Sequence, residues 1–364
     1  MKRFRPIYIC IIAAATILFA FYSFNGGEKT YSSSESINVY QKFSEEQPIR
    51  YLVIGDSIGR GSGAADESGK WFNVLERKMW KNHKSSWNGE YVVQSGATAF
   101  EGLYKFTKFK KDGQKDLVFI VFGENDRKYM DVENFESIYE ALLRKVKKEY
   151  PQAELYTLTE SSLKYDKFAR AIAVVSQHYG AENIDLRPIF QNSGYTDKQL
   201  TKDFVHPNSL GYHFYAEAIY QRFLKKASEP ASVAAIPSLL HPEANIELKA
   251  FFNETQNEGF QIRGRYLASA AKNSFLEYSF TGTAVGVQLL RFPEGGMMDV
   301  YIDGRFVTTI STWWPFARER YLYIANGLPD RSHKIRFVLS DGKSPFSKSR
   351  QTSIRISGIV AEDR

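Results

Sequence analysis

The sequence Tyr51-Leu-Val-Ile-Gly-Asp-Ser57-Ile-Gly59 joins an apolar run to a glycine-rich turn that carries a serine. The apolar residues predict a buried strand, and the glycines predict a sharp turn after it. A serine hydroxyl is a weak nucleophile by itself, so catalysis by Ser57 requires a base, a group that orients the base, and donors for an oxyanion. These groups have to come from other parts of the chain.

Strand-like and helix-like segments alternate over residues 49–227. This alternation predicts an α/β domain with a parallel sheet that is covered by helices on both faces. Ligands of such sheets bind beyond the carboxyl ends of the strands. The predicted strands are 51–54, 91–93, 117–122, 154–158 and 183–186, and the predicted helices lie near 71–83, 132–149, 163–179 and 209–226.

Polar residues occur where several of these strands end. Gly96 follows the second strand and Asn125 the third, while Asp203 and His206 precede the last helix. Asp203 precedes His206 by three residues, so its carboxylate can hydrogen-bond one ring nitrogen of His206 while the other nitrogen faces Ser57. The side chain of Asn125 and the backbone N–H groups of Ser57 and Gly96 can form an oxyanion hole, and glycine at position 96 leaves room for the acyl group. The predicted catalytic residues are Ser57, Asp203 and His206.

Taken together, these motifs resemble those of the SGNH, or GDSL-type, hydrolase family. The resemblance covers about residues 49–227 and implies a flavodoxin-like three-layer fold and acyl-ester chemistry that requires no cofactor and no metal. Two positions differ from the usual pattern, because Ile58 replaces a leucine and Ser95 stands where an asparagine often precedes the glycine. The four matching blocks are Gly55-Asp56-Ser57-Ile58, Gly96, Gly123-Glu-Asn125-Asp and Asp203-Phe-Val-His206.

Three other motifs overlap the serine turn and are set aside. Gly55-Asp-Ser57-Ile-Gly59 also satisfies the Gly-x-Ser-x-Gly pattern of α/β-hydrolases, but in that fold the serine follows several strands. The glycines of 59–64 are typical of a dinucleotide site, yet the second strand ends without the expected acidic residue. Gly69-Lys70 lacks the hydroxyl residue of a P-loop because Trp71 follows it. We expect 59–69 to form a loop beside the acyl pocket.

The last third of the chain has a different pattern. Prolines interrupt residues 228–244, which indicates a linker. From 245 to 364 only strand-like runs occur, and turns such as Asp303-Gly304 are typical of hairpins. We predict a β-sandwich over 245–364 that is similar to the jelly-roll modules found beside carbohydrate-active enzymes. Its predicted strands are 275–280, 284–291, 297–302, 305–310, 319–324, 333–339 and 352–360.

Trp313 and Trp314 are candidate carbohydrate-binding residues, because their rings can stack on sugars. Neighbouring residues of a strand face opposite sides, so at least one of the two indoles is expected in the core. The alternative role of this region is to pack on the first domain or to cover its cleft.

Residues 1–24 are predicted to be an N-terminal membrane anchor. Ile7 to Phe24 is an uncharged apolar run of 18 residues, and Lys2, Arg3 and Arg5 precede it. This arrangement predicts a cytoplasmic N-terminus and a single-pass protein whose other domains lie outside the cell membrane. A cleaved signal peptide is the competing interpretation, although no Ala-x-Ala site follows the run. The small polar residues of 25–48 predict a flexible tether.

The positive charge lies outside the predicted catalytic region. The formal net charge of the chain is +7, and it comes from the N-terminus and from residues 245–364, so residues 6–244 carry no net charge. Nucleic acid is therefore not expected as a substrate, because phosphate binding needs clustered Lys and Arg residues.

We accordingly expect an extracytoplasmic serine esterase that removes small O-acyl groups, acetyl in particular, from a cell-envelope carbohydrate. Two alternatives stay open. One is an O-acetyltransferase for a cell-wall polysaccharide or peptidoglycan, which would require a membrane protein as acyl donor. The other is a carbohydrate-binding protein without catalytic activity.

Overall fold

The computed structural model describes residues 38–230 and 235–362. The predicted membrane anchor, whose apolar run is 7–24, lies outside these residues. Within the two described ranges, no helix has both the length and the apolar character needed to cross a bilayer.

The first domain is built on a five-stranded parallel sheet with the strand order β2-β1-β3-β4-β5. The strand β1 lies at the second position and pairs in parallel with both β2 and β3, so the turn that carries Ser57 leaves the sheet from an inner strand. The predicted α/β class and the flavodoxin-like arrangement are confirmed, since this strand order is one of the doubly wound orders. The strands are β1 (Ile49–Gly55), β2 (Trp87–Val93), β3 (Leu117–Val121), β4 (Glu154–Thr159) and β5 (Glu182–Asp185).

Helices cover both faces of this sheet. One apolar core contains α1, α2 and α8, and a second core on the opposite face contains α3, α4 and α5. The helix α3 was not predicted, because it is short and contains Gly102, which disfavours helix formation. The helices are α1 (Val39–Ser44), α2 (Trp71–His83), α3 (Ala99–Lys108), α4 (Val132–Glu149), α5 (Asp166–His178), α6 (Leu186–Gln191), α7 (Asp197–Leu200) and α8 (Ser209–Ala227), with short 3₁₀ helices at Glu67–Gly69, Asp126–Lys128 and Pro242–Ala244.

The tether predicted over residues 25–48 is wrong for its described part. Asn38 accepts hydrogen bonds from the backbone of Tyr40 and Gln41 and so begins α1. Val39 and Tyr40 are buried in the same core as α8. Two apolar residues were too weak a pattern to predict this helix, and the domain therefore begins near residue 38.

The second domain contains two antiparallel sheets around an apolar core, which confirms the predicted β-sandwich. One sheet has the order β13-β12-β15-β10-β7, and the other has the order β14-β11-β16-β9-β8 with β6 paired to β16. The strands are β6 (Leu248–Phe251), β7 (Gln256–Glu258), β8 (Gln261–Arg263), β9 (Tyr266–Ser269), β10 (Phe275–Thr281), β11 (Val285–Arg291), β12 (Gly296–Ile302), β13 (Arg305–Ser311), β14 (Arg318–Ala325), β15 (Ser332–Lys343) and β16 (Ile354–Glu362).

The second domain packs on helix α3 of the first. The ring of Phe100 meets Tyr323 at a centroid distance of 5.8 Å, and Tyr104 meets Tyr321 at 4.7 Å. Tyr323 is part of the same buried core as α3 and α4. Part of the predicted linker also lies against α4, where the buried Glu140 accepts hydrogen bonds from the backbone amides of Leu240 and His241. The two domains therefore share an apolar contact surface.

Candidate active site

The structure brings the three predicted catalytic residues together. Ser57 Oγ lies 2.8 Å from Nε2 of His206, and Nδ1 of His206 lies 2.8 Å from Oδ2 of Asp203. The carboxylate therefore holds one ring nitrogen and leaves the other to accept the serine proton. Ser57 is only 6% exposed, whereas the side chains of His206 and Asp203 are 28% and 51% exposed. The base and its carboxylate thus face solvent while the nucleophile is recessed.

The turn that presents Ser57 is held by Asp56. The buried carboxylate of Asp56 accepts a hydrogen bond of 2.7 Å from the amide of Ile58. The carbonyl of Ser57 accepts a bond of 2.8 Å from the amide of Ser62, so the chain curls directly after the serine. Asp56 therefore orders the serine turn by hydrogen bonding.

The loop that carries Asp203 and His206 is organised by local hydrogen bonds. The amides of Val205 and His206 both donate to Oδ1 of Asp203, at 3.2 and 2.9 Å. Partial burial alone would raise the pKa of Asp203, but the hydrogen bonds from the backbone and ring of His206 outweigh it and hold that pKa below its ordinary value. Asp203 consequently stays ionised and can stabilise a protonated His206.

The predicted oxyanion donors lie around the same turn. The amides of Ser57 and Gly96 donate to no acceptor within the part of the chain that the structure describes. Gly96 has a φ of 74°, which favours glycine, and a Cβ there would lie 3.6 Å from Nη1 of Arg320. Asn125 uses one side-chain N–H to bind Oδ2 of Asp56 at 2.6 Å. Its second side-chain N–H remains for an oxyanion.

The comparison with protein families agrees with this geometry. The model of the GDSL-like lipase/acylhydrolase family matches residues 53–214, a range that includes every predicted catalytic and oxyanion residue. Residues 53–214 belong to this family. The chain is therefore an enzyme of the serine ester hydrolase type. No match was found among curated proteins.

The solved structures similar to this chain include a two-domain esterase described as active on acetylated mannans. Its structure co-crystallized with mannopentaose matches with a TM-score of 0.69 and 15% identity, and the match covers 90% of this chain and 94% of that chain. A second structure of the same esterase gives a TM-score of 0.70 at the same identity and coverage. A lipase/acylhydrolase from Enterococcus faecalis matches with a TM-score of 0.42 and 20% identity, over 49% of this chain and 96% of that chain. The likeness to the two-domain esterase establishes a shared fold over both domains.

Behind the serine of the GDSL domain lies a group of buried carboxyls. Burial raises the pKa of Asp56 to about 6 and that of Asp126 to about 7. Burial, together with the nearby charge of Asp56, raises the pKa of Glu160 well above its ordinary value. Glu160 also accepts a hydrogen bond of 2.7 Å from the amide of Glu124. A protonated Glu160 can donate to Asp56 and thereby steady the serine turn.

Glu160 was missed in the sequence, although a signal was present. It follows strand β4 directly, at the edge of the sheet where ligands of this fold bind. Glu124 and Asp126 flank Asn125, where their side chains can support the loop. Asp126 has such a role, because its carboxylate accepts hydrogen bonds from the amides of Ala99 at 2.7 Å and Gly123 at 3.0 Å. Asp126 therefore ties the Asn125 loop to the start of helix α3.

The second domain reaches the GDSL site at Gly96. Arg320 donates from Nη2 to the carbonyl of Gly96 at 2.8 Å, and the ring of Trp314 would lie 3.7 Å from a Cβ at that position. Trp313 instead packs on Phe346, with 5.4 Å between the ring centroids. The two predicted sugar-binding indoles thus have separate surroundings, and Trp314 is the one beside the site. The position of Trp314 agrees with the alternative that this region packs on the first domain.

The structure offers no prepared site for a metal ion. Among residues 38–230 and 235–362, no group of three or more His, Cys, Asp or Glu side chains is arranged to hold one. The chemistry that the observed groups can perform is proton transfer by His206 and nucleophilic attack by Ser57.

Proposed function

We propose that this protein is a serine esterase that removes small O-acyl groups, acetyl in particular, from a cell-envelope carbohydrate through an acyl-enzyme. The observation that carries the proposal is the chain of hydrogen bonds from Ser57 through His206 to Asp203, at 2.8 Å each. Beside it lie the amides of Ser57 and Gly96, which have no acceptor among the described residues.

In the first half of the reaction, Ser57 Oγ attacks the acyl carbon while Nε2 of His206 accepts its proton. The negative charge that develops on the carbonyl oxygen is stabilised by the amides of Ser57 and Gly96 and by the side chain of Asn125. His206 then gives the proton to the departing sugar hydroxyl. In the second half, His206 takes a proton from water, which attacks the acyl carbon. The bond between this carbon and Ser57 Oγ then breaks, His206 returns the proton to Oγ, and the free acid leaves.

The exposure of the triad supports hydrolysis over transfer. A transferase has to exclude water from its acyl-enzyme so that a sugar hydroxyl can react instead. Here the side chains of His206 and Asp203 are 28% and 51% exposed, so water has direct access to the base. We therefore favour the esterase over the O-acetyltransferase.

Two observations support a carbohydrate as the substrate. The solved esterase that shares this two-domain fold is described as active on acetylated mannans. In addition, aromatic side chains lie near the triad: Phe204, which is two residues from His206, is 64% exposed, and Trp314 stands beside Gly96. Exposed aromatic rings suit the apolar faces of sugars.

We place the enzyme outside the cell membrane, held by residues 7–24 as an uncleaved anchor. The support for this location is the sequence, since an uncharged run of 18 residues follows Lys2, Arg3 and Arg5. Protease added outside intact cells should then remove both domains. Full protection of the chain would reverse the topology, and a shortened form in the medium would show cleavage instead.

The test of the activity is acetate release from acetylated polysaccharide by the purified full-length chain. We expect the wild-type protein to release acetate and Ser57→Ala to lose at least about 10⁴-fold in kcat/KM. Ser68→Ala is the matched control, because Ser68 lies on the surface and its hydroxyl bonds only Asp66 in the described part of the chain. The preference for acetyl is measured as kcat/KM for a series of aryl esters whose acyl groups increase in length.

The outcomes separate the alternatives. Acetylated glycan fragments that form at the expense of free acetate, from an activated acetyl donor, would assign an O-acetyltransferase. Binding of glycans without cleavage of any ester would assign a carbohydrate-binding protein. Equal activity of Ser57→Ala and wild type would remove Ser57 as the nucleophile.

A further inference from the structure

A cavity of about 410 Å³ lies between the two domains, next to the proposed oxyanion hole. The first domain lines it with residues that include Gly96, Glu101 and Tyr129, and the second domain contributes Arg291 and Arg320. Gly96 thus belongs both to the oxyanion hole and to the wall of the cavity. A group held in the cavity would lie close to the ester that Ser57 attacks.

Two guanidinium groups in the cavity wall are buried and incompletely paired. Arg291 is 8% exposed and Arg320 is 1% exposed. Neither Nε of Arg291 nor Nη1 of Arg320 has a hydrogen-bond partner among the described residues. Both groups lie within 6 Å of the ring of Trp314, at 5.8 and 5.7 Å, and the buried Nε1 of Trp314 is also without a partner there. Buried donors are normally satisfied, so the unpaired donors of Arg291 and Arg320 in this wall indicate a missing acceptor.

The charges around the cavity favour an anion over a neutral acceptor. Glu101 is the carboxylate in the cavity wall, and it is engaged by Nε and Nη2 of Arg320 at 3.0 and 2.7 Å. It also lies 3.8 Å from Lys105. Arg291 forms no ion pair with a carboxylate in the parts of the chain that the structure describes. A buried guanidinium without a carboxylate in direct contact is costly, and an anionic ligand would reduce that cost.

The remaining charged side chain of the wall does not change this balance. Lys128 also lines the cavity, and it lies 3.6 Å from Glu124, outside the wall. Burial and the neighbouring charge of Arg320 lower the pKa of Arg291, and they outweigh the opposing effects of Tyr129 and of the Glu101 carboxylate.

We propose that this cavity is a subsite for an anionic substituent of the acylated sugar, a carboxylate or a phosphate, which is bound by Arg291 and Arg320. The inference rests on the proposed esterase function and adds the class of carbohydrate that the enzyme selects. Guanidinium groups match both anions, because their planar N–H donors bind pairs of oxygens. The enzyme then selects an O-acylated acidic glycan, and the anion positions the ester over Ser57.

Binding is tested with the full-length Ser57→Ala protein, which keeps the cavity and cannot turn over substrate. The probes are glucuronate, inorganic phosphate and glucose, measured by calorimetry in a buffer free of other multivalent anions. We expect glucuronate or phosphate to bind about tenfold or more tightly than glucose, the size typical of hydrogen bonds to charged groups. Glucuronate above phosphate identifies a uronic acid, and the reverse order identifies a phosphorylated sugar.

Arg291→Gln, added to the Ser57→Ala protein, should remove the difference in affinity between the anions and glucose. Arg291→Lys should keep part of that difference. Arg305→Gln is the matched control, since it removes one exposed arginine from the same domain and should keep the difference. Thermal unfolding of each variant shows that the fold is intact. In the otherwise wild-type enzyme, Arg291→Gln should lower the ratio of kcat/KM for acetylated acidic over acetylated neutral sugars by the same factor.

The results distinguish the subsite from the esterase. Anion binding that depends on Arg291, in an enzyme that releases no acetate from any glycan, would keep the subsite and reject the esterase. Acetate release without preference for acidic sugars, together with equal binding of glucuronate, phosphate and glucose, would reject the subsite and keep the esterase. Anion binding that survives in Arg291→Gln would also reject the subsite.

Discussion

Two groups of residues lie on either side of Gly96, and they differ in burial, in charge and in the domain that supplies them. On one side Ser57, His206 and Asp203 come from the first domain alone, and the base and its carboxylate are partly exposed. On the other side Arg291 and Arg320 come from the second domain and are buried. The chemistry therefore depends on motifs that are local in the sequence, whereas the surroundings of the substrate depend on how two domains meet.

This difference divides the expected effects of mutations into two classes. Changes on the serine side should lower the rate for every ester by the same factor. Changes on the arginine side should alter the ratio between acidic and neutral substrates. The ratio of kcat/KM for acidic over neutral acetylated sugars, measured with the full-length enzyme, distinguishes the two classes.

After the loss of Ser57 itself, the largest expected effect is that of Asn125→Ala. Because its side chain is proposed to stabilise charge that develops only in the transition state, kcat should fall about 10²–10³-fold with little change in KM. The fall should be equal for acidic and neutral acetylated sugars. Asn88→Ala, on an exposed position of β2, is the control. A change in KM alone would make Asn125 a substrate-binding group.

A smaller effect is expected from Gly63→Ala, which acts on the base through the backbone. Gly63 has a φ of 105°, and a Cβ there would clash with the carbonyl oxygen of Pro207 and lie 2.9 Å from Cβ of His206. The displaced imidazole should lower kcat/KM about 10- to 100-fold for all esters. Gly194→Ala is the matched control, because its φ is also positive at 80° and no atom of the described structure lies within 4 Å. Equal activity in both variants would show that the 59–69 loop does not position His206.

The same difference between local motifs and contacts between domains explains how much of the site could be predicted from the sequence. The turn at Ser57 and the Asp203–His206 pair are each made by neighbouring residues, so the sequence shows them as motifs, and their order along the chain indicated their roles. The proximity of Arg320 and Trp314 to Gly96 depends on contacts between residues more than 200 positions apart, such as Arg320 with Glu101. No local pattern encodes such a contact. Trp313 and Trp314 could be named as candidates, but only the fold shows which of them lies at the site.

The sequence also predicted the main features of the fold but not its short helices. The regular alternation of strands and helices predicted the parallel sheet, and turn motifs such as Asp303-Gly304 predicted the β-sandwich. Helices α1 and α3 were missed because short amphipathic segments have weak patterns. Their stability comes from packing, since α1 lies in the core with α8 and α3 is covered by the second domain.

The smallest expected effect concerns Asp126, which connects the Asn125 loop to helix α3. Its pKa is raised by burial to about 7, from an ordinary value of 3.8. Between these values the unfolded chain has lost the proton that the folded chain keeps, so stability falls as the pH rises from about 4 to about 7. The contribution is at most about 1.4 kcal/mol per pH unit.

The measurement is the urea midpoint of unfolding at several pH values between 4 and 8 for wild type and Asp126→Asn. Because the amide does not titrate, the variant should lose less stability than wild type over this range. Parallel curves for the two proteins would show that Asp126 does not carry the raised pKa.

The proposed mechanism requires that Ser57 becomes acylated, and intact-protein mass spectrometry tests this step most directly. The full-length enzyme is mixed with an aryl acetate and quenched in acid within its first turnovers, and the modified peptide is then sequenced. We expect a mass increase of one acetyl group on Ser57 in the wild-type enzyme and no such increase in Ser57→Ala. Asp203→Asn, in which deacylation should be slower, should accumulate more of the acetylated form. Ester cleavage with an unmodified Ser57, or an acetyl group of equal abundance in Ser57→Ala, would contradict it.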